Sequence, residues 1–376
     1  MSHSESIHIA KLAVFALTAK VARGPMSSLG PMPVRRALLL RLEDAEGAHG
    51  WGEVWCNFPP HGAESRAHLL EDAFRPLVVG AEFSTWDALR PALSAQLERI
   101  MIHTGEAGAF LHCMAGLDMA MADLAARRVG LPMASFLGGQ VARVAVYAST
   151  PSGVDIARQC EELAAAGHTA IKLKIGYAAQ ADRGLVRTCR QALGPRVSLM
   201  ADANQAWSAA QALAQIEGLA PFGLEFVEEP MRADEPVAVW QRLASVSPVP
   251  LAAGENIASH AAFATLIDQR GLHVVQPDVA KWGGMSGTMA IGRYALDHGA
   301  RCCFHFMGSA LGLAASLHGL AALGGDGRVE LDANENPLRT ALGDIDLRVV
   351  DGRLSLPPGP GFGFEPNARS LREFAS

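Results

Sequence analysis

AIKLKI, residues 170–175, is a short apolar run with two β-branched residues that nevertheless carries two lysines, Lys172 and Lys174, one residue apart. In an extended strand the side chains of i and i+2 share a face. The two ammonium groups therefore stand together, and a like-charged pair withdrawn from water requires anions close by.

Similar β-rich runs recur on both sides of this stretch at intervals of roughly 25 to 30 residues, with helical runs between them: 143–150, 170–175, 197–202, 224–229, 249–255, 272–278, 300–306 and 329–333. Eight strands alternating with helices are the pattern of a TIM-like barrel, whose reactive end is the C-terminal end of its strands. The first third reads differently. IHIAKLAVFAL and RRALLLRLEDAEGAHGWGEV are extended runs in which Gly47, Gly50 and Gly52 mark turns, and residues 63–128 read as helices stopped by Gly130 and Pro132. The expected division is an α+β cap over 1–135, a barrel over 136–335, and a tail over 336–376. The tail, with DLRVVDGRLSLPPGPGFGFEP, reads as a strand hairpin and an extended end closer in kind to the cap.

A chain of 376 residues, 49% hydrophobic, with a formal net charge of −6 and no long run of Lys or Arg, has ample core and no nucleic-acid footprint. Its partners are expected to be small molecules, with a homo-oligomer the expected assembly. Six cysteines without CxxC spacing, Cys302 and Cys303 adjacent among them, indicate reduced thiols and a cytoplasmic setting. The longest weakly polar run, 306–324, contains Ser309, Ser316 and His318 and reads as a buried helix rather than a membrane span. The N-terminus reads as a first strand rather than a signal peptide.

The strand ends are unusually ionisable: Lys172 and Lys174, Asp202, Glu228 with Glu229, Glu255, Asp278, His305 and Glu330. A lone acid at such a place is ordinarily a helix cap or a solvated loop group; a set in successive repeats is not. Asp202, Glu228 and Glu255 lie 26 and 27 residues apart on consecutive strands. An all-oxygen set suits Mg²⁺, with Mn²⁺ possible, and disfavours zinc. Asp278 and His305 on neighbouring strands can pair, the acid orienting the ring. Lys281 can hold the charge of Asp278 or be an ordinary surface lysine.

Taken in order, AGLDMAMADLAARRVGLP, FLGG, KLKIGY, MADANQAW, VEEP, GEN, QPDVAKWGG, His305 and VELD resemble the enolase superfamily, and within it the mandelate racemase subgroup, over nearly the whole chain. The lysine followed by IGY and the 27-residue separation of Asp278 and His305 point there rather than to the muconate lactonizing branch, which has a lysine where this chain has Asp278. A Trp frequent in the family before the last Asp of the first motif is Ala122 here. The resemblance implies a TIM-type (β/α)7β barrel under an α+β cap, with Mg²⁺ on Asp202, Glu228 and Glu255. It implies Lys174 as one acid/base and His305, paired with Asp278, as the other. Lys172 would contact the substrate carboxylate, Glu330 would donate a hydrogen bond to it, with Asp332 and Glu335 as nearby competitors, and Asn204 would reach the metal-bound substrate oxygen.

A proton α to a carboxylate is a very weak acid, so the implied chemistry needs cations where charge develops. Free lysine has a pKa of about 10.4; crowding by Lys172 and burial are expected to lower that of Lys174 toward use as a base. The implied reaction is dehydration of an acid sugar, with racemisation of a 2-hydroxy acid as the alternative and a carboxylate-binding sensor as a minor one. Glycine-rich KWGGMSG and GPGFGFEP lack the strand-GxGxxG-helix grammar of a nucleotide site. Selectivity is expected in cap loops 23–36 and 55–66. There Arg23, Arg35, Arg36, His61 and Arg66 offer charge and hydrogen bonds, and Trp55, Phe58, Pro59 and Pro60 offer apolar surface.

Overall fold

A computed structural model of the chain describes every residue except 1–5, 23, 28–29, 150 and 152–153. The first third is an antiparallel sheet with helices on one face. Strands Ile7–Lys20, Val34–Asp44 and His49–Val54 pair so that Leu40 lies between Val14 and Gly52, and Glu82–Phe83 adds a short edge beside Ile7. Of the three glycines expected to mark turns, only Gly47 does, at φ +88° between the second and third strands. Gly50 and Gly52 lie inside the third strand because helix Ala107–Arg128 is pressed onto its backbone. A Cβ at Gly52 would fall 1.9 Å from the Gly116 carbonyl oxygen, and one at Gly50 2.2 Å from that of Ala120.

By length and composition that 22-residue helix could cross a membrane, but most of its apolar window is buried inside the protein. Its two inner acids, Asp118 and Asp123, are five residues apart and so about 140° apart around the axis, which sends them to different neighbours. Asp118 accepts bonds from the Ser286 N–H (2.8 Å) and hydroxyl (2.5 Å) on the barrel side. Asp123 accepts from the N–H groups of Trp51 (2.9 Å) and Phe362 (2.7 Å) and from Arg127 (2.8 Å).

The eight expected barrel strands are all present in order: Arg143–Ser149, Ala170–Lys174, Ser198–Asp202, Leu224–Glu228, Leu251–Ala253, Val274–Val275, Arg301–Cys302 and Val329–Asp332. Neighbours are parallel, the eighth pairs with the first, and a parallel bridge between Phe304 and Val329 closes the ring. Tyr147, Ala170, Met200, Phe226, Ala252, Val274 and Cys303 form one buried apolar layer contributed by seven successive repeats. By period-two alternation Lys172, Asp202 and Glu228 stand one step above it on the same inner face, and Lys174 two steps above. Lys174, Asp202 and Glu228 are register partners across three adjacent strands.

The run 306–324 contains helix Ala310–Leu323, which is buried almost throughout as expected. In the tail, the expected hairpin turns at the Val350–Arg353 bridge, but its strand Arg353–Ser355 pairs with the first barrel strand rather than with the cap sheet. Other tail residues do meet the cap: helix Pro337–Thr340 packs on its first two long strands, Glu365 accepts from the Trp51 indole (2.9 Å) and the Phe374 carbonyl from the Thr18 N–H (2.7 Å).

Three expectations follow for stability. Gly52→Ala should cost ~1–3 kcal/mol or more through overpacking against the helix. Gly108→Ala, in open space at the start of the same helix, should stabilise by up to ~1 kcal/mol in urea unfolding. Inside the cap, His112 accepts a bond from Arg66 Nε (3.1 Å), and burial, reinforced by the Arg66 charge, pushes its pKa from 6.5 down to about 3. The folded state therefore favours the neutral ring, and its contribution is intact above pH 6.5 and lost as pH falls toward 3. Between pH 6 and 4, His112→Gln should lose stability less steeply than the parent by up to ~1.4 kcal/mol per pH unit.

Candidate functional site

Lys172 is buried at the centre of the barrel mouth, and its anions are now identifiable: Glu228 Oε2 at 2.7 Å, Glu330 Oε1 at 3.1 Å and Asp202 Oδ2 at 3.6 Å. The Tyr147 ring lies 5.2 Å from the ammonium. Lys174 Nζ donates to Asp202 Oδ2 (2.5 Å) and to Asn204 Oδ1 (2.8 Å). The expectation that crowding lowers the pKa of Lys174 is corrected here. Burial, the largest influence, pushes it down, as does Lys172, but Asp202 at contact distance, together with Glu228 and Glu255, outweighs them and the net shift is upward.

Across the mouth, His305 Nδ1 lies 2.6 Å from Asp278 Oδ2, while its Nε2 faces Glu255 (3.3 Å) and Glu330 (3.7 Å). Burial disfavours the imidazolium, but Glu255, Glu330 and Asp278 overcompensate and raise the ring to about 10. Asp278 is itself held by the N–H groups of Ala280 (2.8 Å) and Lys281 (3.2 Å). The Lys281 ammonium does not serve Asp278: it reaches Asn256 Oδ1 (2.7 Å) and Glu255 Oε2 (3.2 Å), 4.7 Å from the centre of the Trp55 ring.

Each carboxylate of the expected metal trio thus has a cationic partner, Asp202 with Lys174, Glu228 with Lys172, and Glu255 with Lys281 and His305. As they stand, no three His, Cys, Asp or Glu side chains among the described residues are gathered to grip an ion. The site nevertheless fits a hard cation in donor chemistry. It is rich in carboxylates, and two buried oxygens, Glu228 Oε1 and Glu229 Oε2, have no hydrogen-bond partner among the described residues. Burial, followed by Asp202 for Glu228 and by Glu255 for Glu229, pushes both acids up to about 8.

A cavity of about 570 Å³ opens above these groups. Lys174, Asn204, Glu255, Lys281, His305 and Glu330 face it from the barrel, and Met32, Trp55, Asn57 and Phe58 from the cap. Lys172 lies below the floor and does not line it. Several cap expectations fail for lack of reach or freedom. His61 is exposed beside Glu64, away from the cavity. Arg35 is buried against Asp332 (2.5 Å), and Arg66 is bound to His112 and to the Gly62 carbonyl (3.0 Å). Arg36 borders a separate small cavity, Pro59 and Pro60 lie off the main one, and Arg23 lies outside the described residues. Neither rival to Glu330 competes, since Asp332 is taken by Arg35 and Glu335 accepts from the Ala22 N–H (3.3 Å).

Three residues at the site escaped the reading of strand ends. Tyr147 donates to Glu330 Oε2 (3.1 Å), Gln276 to Glu228 Oε2 (2.5 Å) and Asn256 to Glu229 Oε1 (2.8 Å). The signal for Tyr147 and Gln276 was the inward period of the strands rather than charge; Asn256 lies in a loop and had no such signal.

Residues 11–138 match the family described as mandelate racemase / muconate lactonizing enzyme, N-terminal domain, and residues 155–370 the one described as enolase C-terminal domain-like. A solved mandelate racemase/muconate lactonizing enzyme from Bordetella bronchiseptica is 40% identical, with a TM-score of 0.90 over 99% of this chain and 100% of that one. D-galactarolactone cycloisomerase of Agrobacterium fabrum is 30% identical over 361 residues, 90% of this chain and 92% of the relative. D-galactonate dehydratase of Xanthomonas oryzae pv. oryzae is 30% identical over 363 residues, 90% of each. With both halves matched and a relative 30% identical over 90% of the chain, the chain belongs to the mandelate racemase/muconate lactonizing enzyme group of the enolase superfamily.

Proposed function

We propose that the protein removes the proton α to the carboxylate of a small hydroxy acid, and that the overall reaction is Mg²⁺-dependent dehydration of an acid sugar to a 2-keto-3-deoxy acid. The observation that carries this reading is that Lys174 and the Asp278-paired His305 open into one cavity from strands two and seven of an eight-stranded ring. A proton can thus be taken on one side of a bound acid and delivered on the other. Asp202, Glu228 and Glu255 would hold Mg²⁺, which when bound supplies positive charge for the carboxylate that must carry the developing negative charge.

The protein's own groups do the rest. Lys172 supports that charge from beneath the floor, and Glu330, fixed between Lys172 and Tyr147, presents its carboxyl to the cavity. Lys174 takes the α-proton as the neutral amine, after releasing Asp202 and giving its own proton to solvent, and its bond to Asn204 keeps the nitrogen aimed. His305, oriented by Asp278, gives a proton to the departing β-hydroxyl. Racemisation of a 2-hydroxy acid is the second reading, favoured by the same pair of acid/base groups: His305 would then return the proton to the α-carbon from the opposite face.

A panel of aldonates, aldarates and 2-hydroxy acids incubated with Mg²⁺ in D₂O separates these readings. Dehydration yields a 2-keto acid; α-deuteration with inversion and no keto acid would mark the racemase, and neither across the panel would sink the enzymatic reading. Lys174→Ala should lose both product and exchange by ~100-fold or more, whereas His305→Ala should lose product by a similar factor and keep exchange. Chelation should abolish turnover, with Mg²⁺ restoring it and Zn²⁺ failing to do so. Turnover that survives exhaustive chelation would remove the metal from the proposal.

A further inference from the structure

The cap segment 53–57 is bonded directly into the loops that carry Asp278 and His305. Glu53, buried on the third cap strand, directs its carboxylate at the start of helix Ala310–Leu323. Oε1 accepts from the Ser309 N–H (2.8 Å), and Oε2 from the Ser309 hydroxyl (2.6 Å) and the Gly312 N–H (2.9 Å). The Trp55 N–H donates to the Ala280 carbonyl (3.1 Å), two residues after Asp278, and the Asn57 amide to the Met307 carbonyl (3.0 Å), two residues after His305.

Glycines permit this approach: a Cβ at Gly308 would fall 2.4 Å from Glu53 Oε1, and one at Gly312 2.8 Å from Oε2. The loop bearing His305 is consequently tied at both ends, by the His305 N–H to the Pro277 carbonyl (3.1 Å) and by Glu53 at Ser309. The helix that follows Asp278 is treated alike. Asp118 of the cap accepts the Ser286 N–H near the start of Gly284–Asp297, and a Cβ at Gly284 would collide with it. Both barrel helices downstream of the pair therefore have a cap carboxylate at their N-termini, where the helix dipole and free N–H groups favour an anion.

We infer that Glu53 is a positioning residue for the reaction, holding His305 against Asp278 and toward the substrate from the cap side. It acts through the His305 loop and touches no reacting atom. The inference rests on the proposed division of labour between Lys174 and His305. It predicts a specific failure when Glu53 is weakened: the α-proton still leaves to Lys174, but the hydroxyl is no longer assisted to depart, so the intermediate is reprotonated more often.

The test compares the parent, Glu53→Gln and Ser309→Ala on the best acid from the panel in D₂O, following α-deuteration of recovered substrate and keto-acid formation together, with thermal melts to establish folding. A Gln amide presents N–H hydrogens to donors that need an acceptor. Glu53→Gln should therefore lower kcat for product by ~10-fold or more, as displacement of a reacting group by a fraction of an ångström does, leave KM within about twofold, and raise the ratio of exchange to product several-fold. Ser309→Ala removes one of the three bonds and should raise the ratio in the same direction by less; it decides the matter if Glu53→Gln does not fold. Equal loss of exchange and product, a change confined to KM, or an unchanged ratio in a folded variant would overturn the inference. A parent enzyme that neither exchanges nor eliminates any acid would instead overturn the reading beneath it.

Discussion

The rest of the site depends on a buried ammonium. Lys172, enclosed at the barrel mouth, is tolerated because Glu228, Glu330 and Asp202 surround it at 2.7 to 3.6 Å. Withdrawing one such charge from water costs several kcal/mol, and close pairing in fixed geometry is what offsets it. Burial pushes the pKa of Lys172 down and the carboxylates push it up further, so its charge is a permanent feature of the mouth. An apolar plug would serve stability at least as well. That the chain keeps an ion network there instead is a physical mark of function, and it fixes where Lys174, Asp202 and Glu228 must point.

The barrel was legible in the sequence because two independent periods coincide: strands recur at near-equal intervals, and within each strand alternate residues face inward. Ala170, Met200 and Phe226 fill the interior, and one step along the same face come Lys172, Asp202 and Glu228. The roles of Gly50 and Gly52 were not legible, because a glycine that admits a helix backbone and one that makes a turn look the same in a sequence. The tail strand was misplaced for a related reason. The stretch 350–355 has the alternation of an edge strand, and alternation says nothing about which sheet offers the edge.

At the site, charged strand ends could be read and their partners could not. The sequence supplied the acids demanded by Lys172 and Lys174 but not which acid meets which lysine, since that depends on the stagger of neighbouring strands and on rotamers. Lys281 is the clearest case. Three residues after Asp278, it invited pairing with that acid, but Asp278 is already saturated by two backbone N–H groups and His305, and the ammonium turns to Asn256 and Glu255. Tyr147 and Gln276 carry no charge and were hidden among ordinary strand residues. In the cap loops, a count of Arg and His overstated what is available, because Arg35 and Arg66 are spent on buried bonds.

The two sides of the mouth are built differently. Among the described residues the Lys174 ammonium is held by side-chain bonds to Asp202 and Asn204, and Asn204 sits in the left-handed region at φ +44° on the loop that follows its strand. The His305 side is stitched to the cap through Glu53, Trp55 and Asn57, and the seam beside them encloses only about 10 Å³, space for about one water. In the proposed reaction, a lysine that must release Asp202 and its own proton before acting as a base benefits from freedom. An imidazole that is to protonate a leaving group on the far face benefits from being fixed. On that reading the cap belongs to the acid–base apparatus on one side of the substrate and to its enclosure on the other.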